Sequence, residues 1–168
     1  SLGRQDLPDL LRSLVASYQI KPSQVIFEVT ETQMLRNESI AKVNIDRLRL
    51  MGFGISIDDY GTGYSTMARL MSLPFTELKV DRRFCHGAAD REQLCHILRN
   101  CAELASNLGI SIVAEGVERN EDRELVSDLG FHCVQGYCES APLRREQLLA
   151  WLAERGQTQE YATLSQTA

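Results

Sequence analysis

Leucines at positions 7, 10, 11 and 14, followed by Tyr18, recur at the spacing of one helical face, and Pro8 suits a first turn. The pattern therefore predicts an amphipathic helix at the start of the chain. The period then changes. Val25-Ile26-Phe27-Glu28-Val29-Thr30 is short, apolar and rich in β-branched residues, which predicts a strand. From Asn37 to Met51 the helical period returns through Ile40, Ile45, Leu48 and Met51, and Gly52 is a natural stop. The alternation continues with strand Gly54 to Asp58, a helix around Ser65 to Ser72, strand Glu77 to Asp81 and a long helix from Arg91 to Leu108. Strand Ile110 to Glu115, helix Glu121 to Leu129, strand Phe131 to Gln135 and helix Arg144 to Arg155 complete it. From Gly156 onward no apolar period is sustained, so 1–155 reads as the domain and 156–168 as a polar tail.

Repeated β-then-α order with near-continuous apolar strands implies an α/β fold, a parallel sheet covered by helices that is either doubly wound or closed as a barrel. Strand spacing does not choose between the two. A complete (β/α)₈ barrel runs to about 250 residues. A barrel reading of these 168 residues is therefore an incomplete TIM-like (β/α) barrel, with five βα units present and the N-terminal strands missing.

Composition narrows the partners. With 43% hydrophobic and 24% charged residues the chain can bury one core, and it is too short for two ordinary domains. A net charge of −5 provides no basic face for a nucleic-acid backbone, so a polyanionic ligand would need cations held locally. No run of eighteen apolar residues occurs, and Arg4, Asp6, Asp9 and Arg12 interrupt the first leucines. That pattern predicts a cytoplasmic protein with no signal peptide and no membrane insertion in this segment. The five cysteines, with no CxxC pair, predict reduced, mostly packed thiols, and His86, His96 and His132 are scattered without ligand spacing.

The chemistry lies in where the polar residues interrupt the strands. Glu28 stands late in the first, Asp58 and Asp59 end the second, Lys79 and Asp81 lie in the third, Glu115 ends the fourth and Gln135 ends the fifth. In parallel α/β folds the C-terminal edge of the sheet is where ligands and catalysis are found. Carboxylates gathered at one rim repel one another unless cations neutralise them, and oxygen donors without His or Cys favour Mg²⁺ or Mn²⁺. Two adjacent aspartates suit a pair of ions, a recurrent device for phosphoryl hydrolysis. Each acid alone could equally be a helix N-cap or a turn former, and Tyr60-Gly61-Thr62-Gly63 could be only a turn. Lys79 inside an apolar strand is harder to set aside, because a buried ammonium is costly without an anion beside it.

Five segments, in order, resemble motifs of the EAL domain family. They are Phe27-Glu28-Val29-Thr30-Glu31-Thr32, Asp58-Asp59-Tyr60-Gly61-Thr62-Gly63-Tyr64-Ser65, Leu78-Lys79-Val80-Asp81-Arg82, Val113-Ala114-Glu115-Gly116-Val117-Glu118 and Gln135-Gly136-Tyr137. The resemblance implies a TIM-like barrel that hydrolyses cyclic-di-GMP to linear pGpG with two ions of Mg²⁺ or Mn²⁺, working as a homodimer. It implies Glu28, Asp58, Asp59 and Glu115 as metal ligands and Lys79 as the residue that orients the attacking water. Glu115 is also implied as a general base, and Gln135 as an aid in holding metal and water. Glu31, Asp81 and Glu118 take supporting places, with Glu31 anchoring the loop from Asp59 to Ser65.

The chain also departs from the family. The Glu-Ala-Leu tripeptide does not occur in it, and no N-x-S segment with an asparagine ligand stands shortly before the opening helix, where the family has one. The expectation is a truncated domain, inactive alone, with the alternative of a non-catalytic cyclic-di-GMP-binding, regulatory or dimerisation module.

Overall fold

The computed structural model describes residues 2–30, 38–61 and 72–155. Five strands, β1 (Ile26–Thr30), β2 (Gly54–Tyr60), β3 (Glu77–Val80), β4 (Ser111–Glu115) and β5 (Cys133–Gln135), form one sheet in the order β1-β2-β3-β4-β5, with every pairing parallel. This order decides what strand spacing left open. A doubly wound sheet reverses its strand order at a switch point, whereas strictly sequential parallel strands with right-handed crossovers place all helices on one face and curl as a barrel does. The sheet is a five-stranded arc of a TIM-like barrel.

The helices are α1 (Leu7–Ser17), α2 (Glu38–Leu50), α3 (Arg82–Cys85), α4 (Glu92–Leu108), α5 (Asn120–Asp128) and α6 (Arg145–Glu154), with 3₁₀ turns at Pro22–Gln24 and Ala88–Asp90. Most agree with the hydrophobic periods to within a residue or two. The helix expected around Ser65 to Ser72 falls almost wholly outside the described residues. Asp81, expected at the end of the third strand, instead caps α3, its carboxylate accepting the Arg83 amide. The chain divides into two compact units, Ser1–Cys138 and Glu139–Ala168. The second contains α6, where the Arg155 guanidinium lies 3.9 Å from the Trp151 ring and bonds Glu139. Among the described residues no helix is long and apolar enough to cross a membrane.

The two faces of the sheet differ in chemistry. One carries Phe27, Val29, Ile55, Ile57, Leu78, Val80, Ile112 and Ala114 into a core shared with Ile45 and Leu48 of α2, Leu98, Cys101 and Ala105 of α4, and Val126 of α5. Burial of each large aliphatic side chain there contributes about 1.5–3 kcal/mol. The register puts Glu28, Ser56, Asp58, Glu77, Lys79, Ser111, Glu115 and Gln135 at the alternate positions, among which Ile26, Gly54, Val113 and Cys133 are the non-polar members. Parallel strands in α/β folds are ordinarily apolar on both faces. A polar second face is therefore a cost to stability that calls for a functional reason.

On the outer side of β1 and β2, Asn44 of α2 is 1% exposed and donates to the carbonyls of Leu2 and Arg4, each at 2.7 Å. This fixes the N-terminal arm and lets α1 lie along α2, where Arg47 meets Asp9 at 2.9 Å.

Candidate active site

Lys79 organises the polar face. It is 5% exposed, and its Nζ lies 2.7 Å from Glu28 Oε1, 3.2 Å from Asp58 Oδ1 and 2.6 Å from Glu115 Oε1. An ammonium has three N–H donors, and here each meets a carboxylate from a different strand. Burial alone pulls the Lys79 pKa down, but the hydrogen bonds to Glu115, Glu28 and Asp58 outweigh it and the net shift is upward. The ammonium therefore stays charged and draws β1, β2 and β4 toward β3.

Asp58 and Asp59 present a problem that the backbone solves. Consecutive residues in a strand point to opposite faces, so both could not reach one mouth from a regular strand. Against β3 the register runs Ile57 to Leu78 and then Tyr60 to Val80, so Asp58 and Asp59 together oppose Lys79. This is a β-bulge, and Asp59 takes φ +58°, a left-handed conformation that aspartate tolerates better than most residues. The bulge turns Asp59 back toward Asp58. Ligand oxygens of Asp58, Asp59 and Glu115 consequently lie within 4.8 Å of one another.

Burial first, and then Asp58 and Asp81, push the Asp59 carboxyl up from its ordinary pKa. Glu115 is likewise raised, by burial above all, against a lowering contribution from Lys79. Both acids are thus held at a cost in the absence of further cations. A carboxyl whose folded pKa is raised penalises folding above that pKa, and the penalty is relieved as pH falls through it. In metal-free solution Asp59→Asn should therefore stabilise the fold at pH 8 by about 0.5 kcal/mol, a small value because solvent screens an exposed side chain. The gain should shrink as pH falls from neutrality toward the Asp59 pKa. Urea denaturation of parent and variant from pH 8 to pH 5 measures it, and a gap that widens on acidification contradicts the argument.

The donor set fits a divalent cation. It consists of three carboxylates from two strands, β2 and β4, and two of the three have an elevated pKa, which is the electrostatic signature of a site that gains from added positive charge. All-oxygen ligation selects hard ions such as Mg²⁺, Mn²⁺ or Ca²⁺. Glu28 joins the group through Lys79, and its side chain is 54% exposed on the edge strand β1. On the same face, Ser56 is fully buried and its Oγ has no hydrogen-bond partner among the described residues.

The remaining expected positions divide. Gln135 is in register with Glu115, but its side chain is exposed and its place is fixed by the backbone, the Val117 amide donating to the Gln135 carbonyl at 3.1 Å. Asp81 contributes to the raised pKa of Asp59 and accepts from Arg83 Nε at 3.0 Å. Glu118 accepts Arg82 Nη2 at 2.9 Å, with His86 Nδ1 at 3.9 Å. Glu31 lies outside the described residues, as does the loop beyond Gly61. The bulge and α3 have no hydrophobic period to announce them, and a four-residue helix spans barely one turn.

The chain is also similar to known proteins over most of its length. The profile of the EAL domain matches residues 1–142. The chain is 36% identical over 148 residues to the cyclic di-GMP phosphodiesterase RocR of Pseudomonas aeruginosa, covering 88% of this chain and 38% of RocR. Among solved structures, the PaMucR phosphodiesterase in its c-di-GMP complex superposes with a TM-score of 0.80 at 38% identity, over 88% of this chain and 60% of that one. BlrP1 of Klebsiella pneumoniae, in a manganese and cyclic-di-GMP complex, gives 0.73 at 31% identity, over 81% and 34% respectively. The chain thus spans less than two thirds of each of these proteins.

Proposed function

This chain belongs to the EAL domain family, and from that premise we propose that it carries the metal-binding and water-activating part of a cyclic-di-GMP phosphodiesterase. The observation that carries the reading is the buried Lys79 held by Glu28, Asp58 and Glu115 beside the oxygen cluster of Asp58, Asp59 and Glu115. A lysine with three carboxylates from three strands is expensive to build and serves no packing need. The named activities of RocR and PaMucR, and the manganese and cyclic-di-GMP in the BlrP1 complex, support the assignment of substrate and metal.

In this proposal Asp58, Asp59, Glu115 and Glu28 hold two ions of Mg²⁺ or Mn²⁺. When bound, such ions neutralise charge developing at phosphorus and make the nucleophilic water more acidic. The protein's own groups do the rest. Lys79 fixes the rotamers of three carboxylates, and for it to orient an attacking water one of its three hydrogen bonds must be exchanged. Glu115, its carboxylate 2.6 Å from Lys79 Nζ, stands beside the water that Lys79 would orient and is placed to receive its proton. Gln135, exposed and in register with Glu115, offers an amide at the mouth. Attack of one water breaks one P–O3′ bond, the proton passes to the leaving 3′ oxygen, and the product is linear pGpG. Pairing of two copies, which the family resemblance implies, belongs to the same proposal.

The test is product analysis. Cyclic-di-GMP incubated with the folded full-length protein and Mg²⁺ or Mn²⁺ should give pGpG by chromatography, and none once EDTA is added. Absence of turnover by folded, metal-loaded, full-length protein overturns the reading. Calorimetric binding without turnover would recast the chain as a cyclic-di-GMP-binding module.

A further inference from the structure

Between the exits of β2 and β4 lies α3, and its side chains reach both. On the β4 side it is tied down several times. A Cβ on Gly116, which has φ +61°, would meet Arg82 Cγ at 2.3 Å, so the arginine stem lies directly across this backbone on its way to Glu118. The Gly87 and Ala89 amides that follow α3 donate to the fully buried Asp122 carboxylate, each at 2.9 Å. Arg119 pairs with Asp90. Cys85 anchors α3 from below, fully buried with its Sγ 3.5 Å from the Val80 carbonyl.

Toward β2 the contact is apolar. Gly61 follows Tyr60, where the ladder resumes after the bulge, and has φ +95°, and a Cβ there would lie 2.7 Å from Cε2 and 3.2 Å from Cζ of Phe84. The ring therefore occupies the space beside the Gly61 backbone, two residues beyond the left-handed Asp59. An aspartate at positive φ persists only where its surroundings over-determine it. A ring carried by an element fixed to β4 is such a determinant.

We propose that Phe84 is a positioning residue for the metal-binding pair, wedged against Gly61 so that the bulge keeps Asp59 turned toward Asp58 and Glu115. This rests on the metal reading above and extends it to a side chain outside the oxygen cluster. The polar ties on the β4 side make α3 a strut from the Glu115 rim to the Asp58–Asp59 rim.

The test combines hydrogen–deuterium exchange without metal and Mn²⁺ titration followed by electron paramagnetic resonance. The variants are Phe84→Ala, Phe84→Leu and, as a control of similar burial on α4, Leu94→Ala. Phe84→Ala should raise deuterium uptake in residues 58–61 and weaken Mn²⁺ binding by about tenfold, the lower end for groups that orient metal ligands. Phe84→Leu should recover most of both. Leu94→Ala should lower the melting temperature and move neither reading. Phe84→Val, which lacks the reach of the ring, carries the same test if the alanine variant does not fold. Unchanged uptake in residues 58–61 of a folded variant overturns the proposal, as does parent-like Mn²⁺ affinity. If the parent binds no Mn²⁺, the metal reading itself falls, and the exchange data still decide whether the ring holds the bulge.

Discussion

Replacing Lys79 with methionine should cost about 3 kcal/mol of stability at pH 7.5 without divalent cations, toward the lower end for breaking a buried ion pair. The lower end applies because Glu28 is half exposed and can turn to solvent, whereas Asp58 and Glu115 are 22% and 15% exposed and cannot do so as freely. Methionine fills most of the volume, so the loss reports charge more than cavity. Two conditions should return stability. Acidification lets Glu115, already raised in pKa, take a proton, and excess Mn²⁺ supplies the missing positive charge. The parent should behave differently, because the raised pKa of Lys79 keeps its contribution complete below about pH 10.5 and lets it go only at higher pH. Urea denaturation at pH 7.5 and pH 5, with and without Mn²⁺, measures all of this. A Lys79→Met protein as stable as the parent at pH 7.5 would show that the three carboxylates do not depend on the ammonium. Turnover should fall by about 10²–10⁴-fold, as for loss of a group that positions a reacting proton.

Asp59→Asn should reduce hydrolysis of cyclic-di-GMP by about 10³-fold, corresponding to some 4 kcal/mol of lost transition-state stabilisation. Asparagine keeps the shape and tolerates the left-handed backbone, so the fold should remain. What it loses is a formal charge and a strong oxygen donor, and Mn²⁺ stoichiometry should drop with it. The same substitution should slightly stabilise the metal-free protein at pH 8, for the reason given with the site. Opposite signs for stability and activity from one change are the mark of a residue kept for chemistry. Paired measurement of urea midpoint and initial rate tests this, and a variant that hydrolyses normally would remove Asp59 from the metal site.

Much of this was legible in the sequence because the strands are short apolar runs separated by helical periods. Glu28, Asp58, Asp59, Lys79 and Glu115 stood out as polar interruptions near strand ends, and the cost of a buried lysine pointed to carboxylates beside it. Three carboxylates bonding Lys79 at once could not be read, because their meeting depends on register between non-adjacent segments. Near-continuous apolarity also concealed the alternation that gives the sheet one polar face. The bulge was beyond reach for a different reason. Asp58-Asp59 is compatible with a regular strand, a turn or a bulge, and only pairing with β3 counts two residues against one. The role of α3 was hidden likewise, since its meaning comes from two glycine backbones, at Gly61 and Gly116, far apart along the chain.

That two-against-one count has an evolutionary corollary. Losing either aspartate by a single-codon deletion would restore an even ladder between β2 and β3, and the shortened sheet would be the more regular structure. It would also be chemically mute, with a lone acid where a pair had converged. Under the proposed function, selection for smooth folding and selection for turnover would pull this pair in opposite directions, and a relative with an uninterrupted ladder here should bind fewer metal ions.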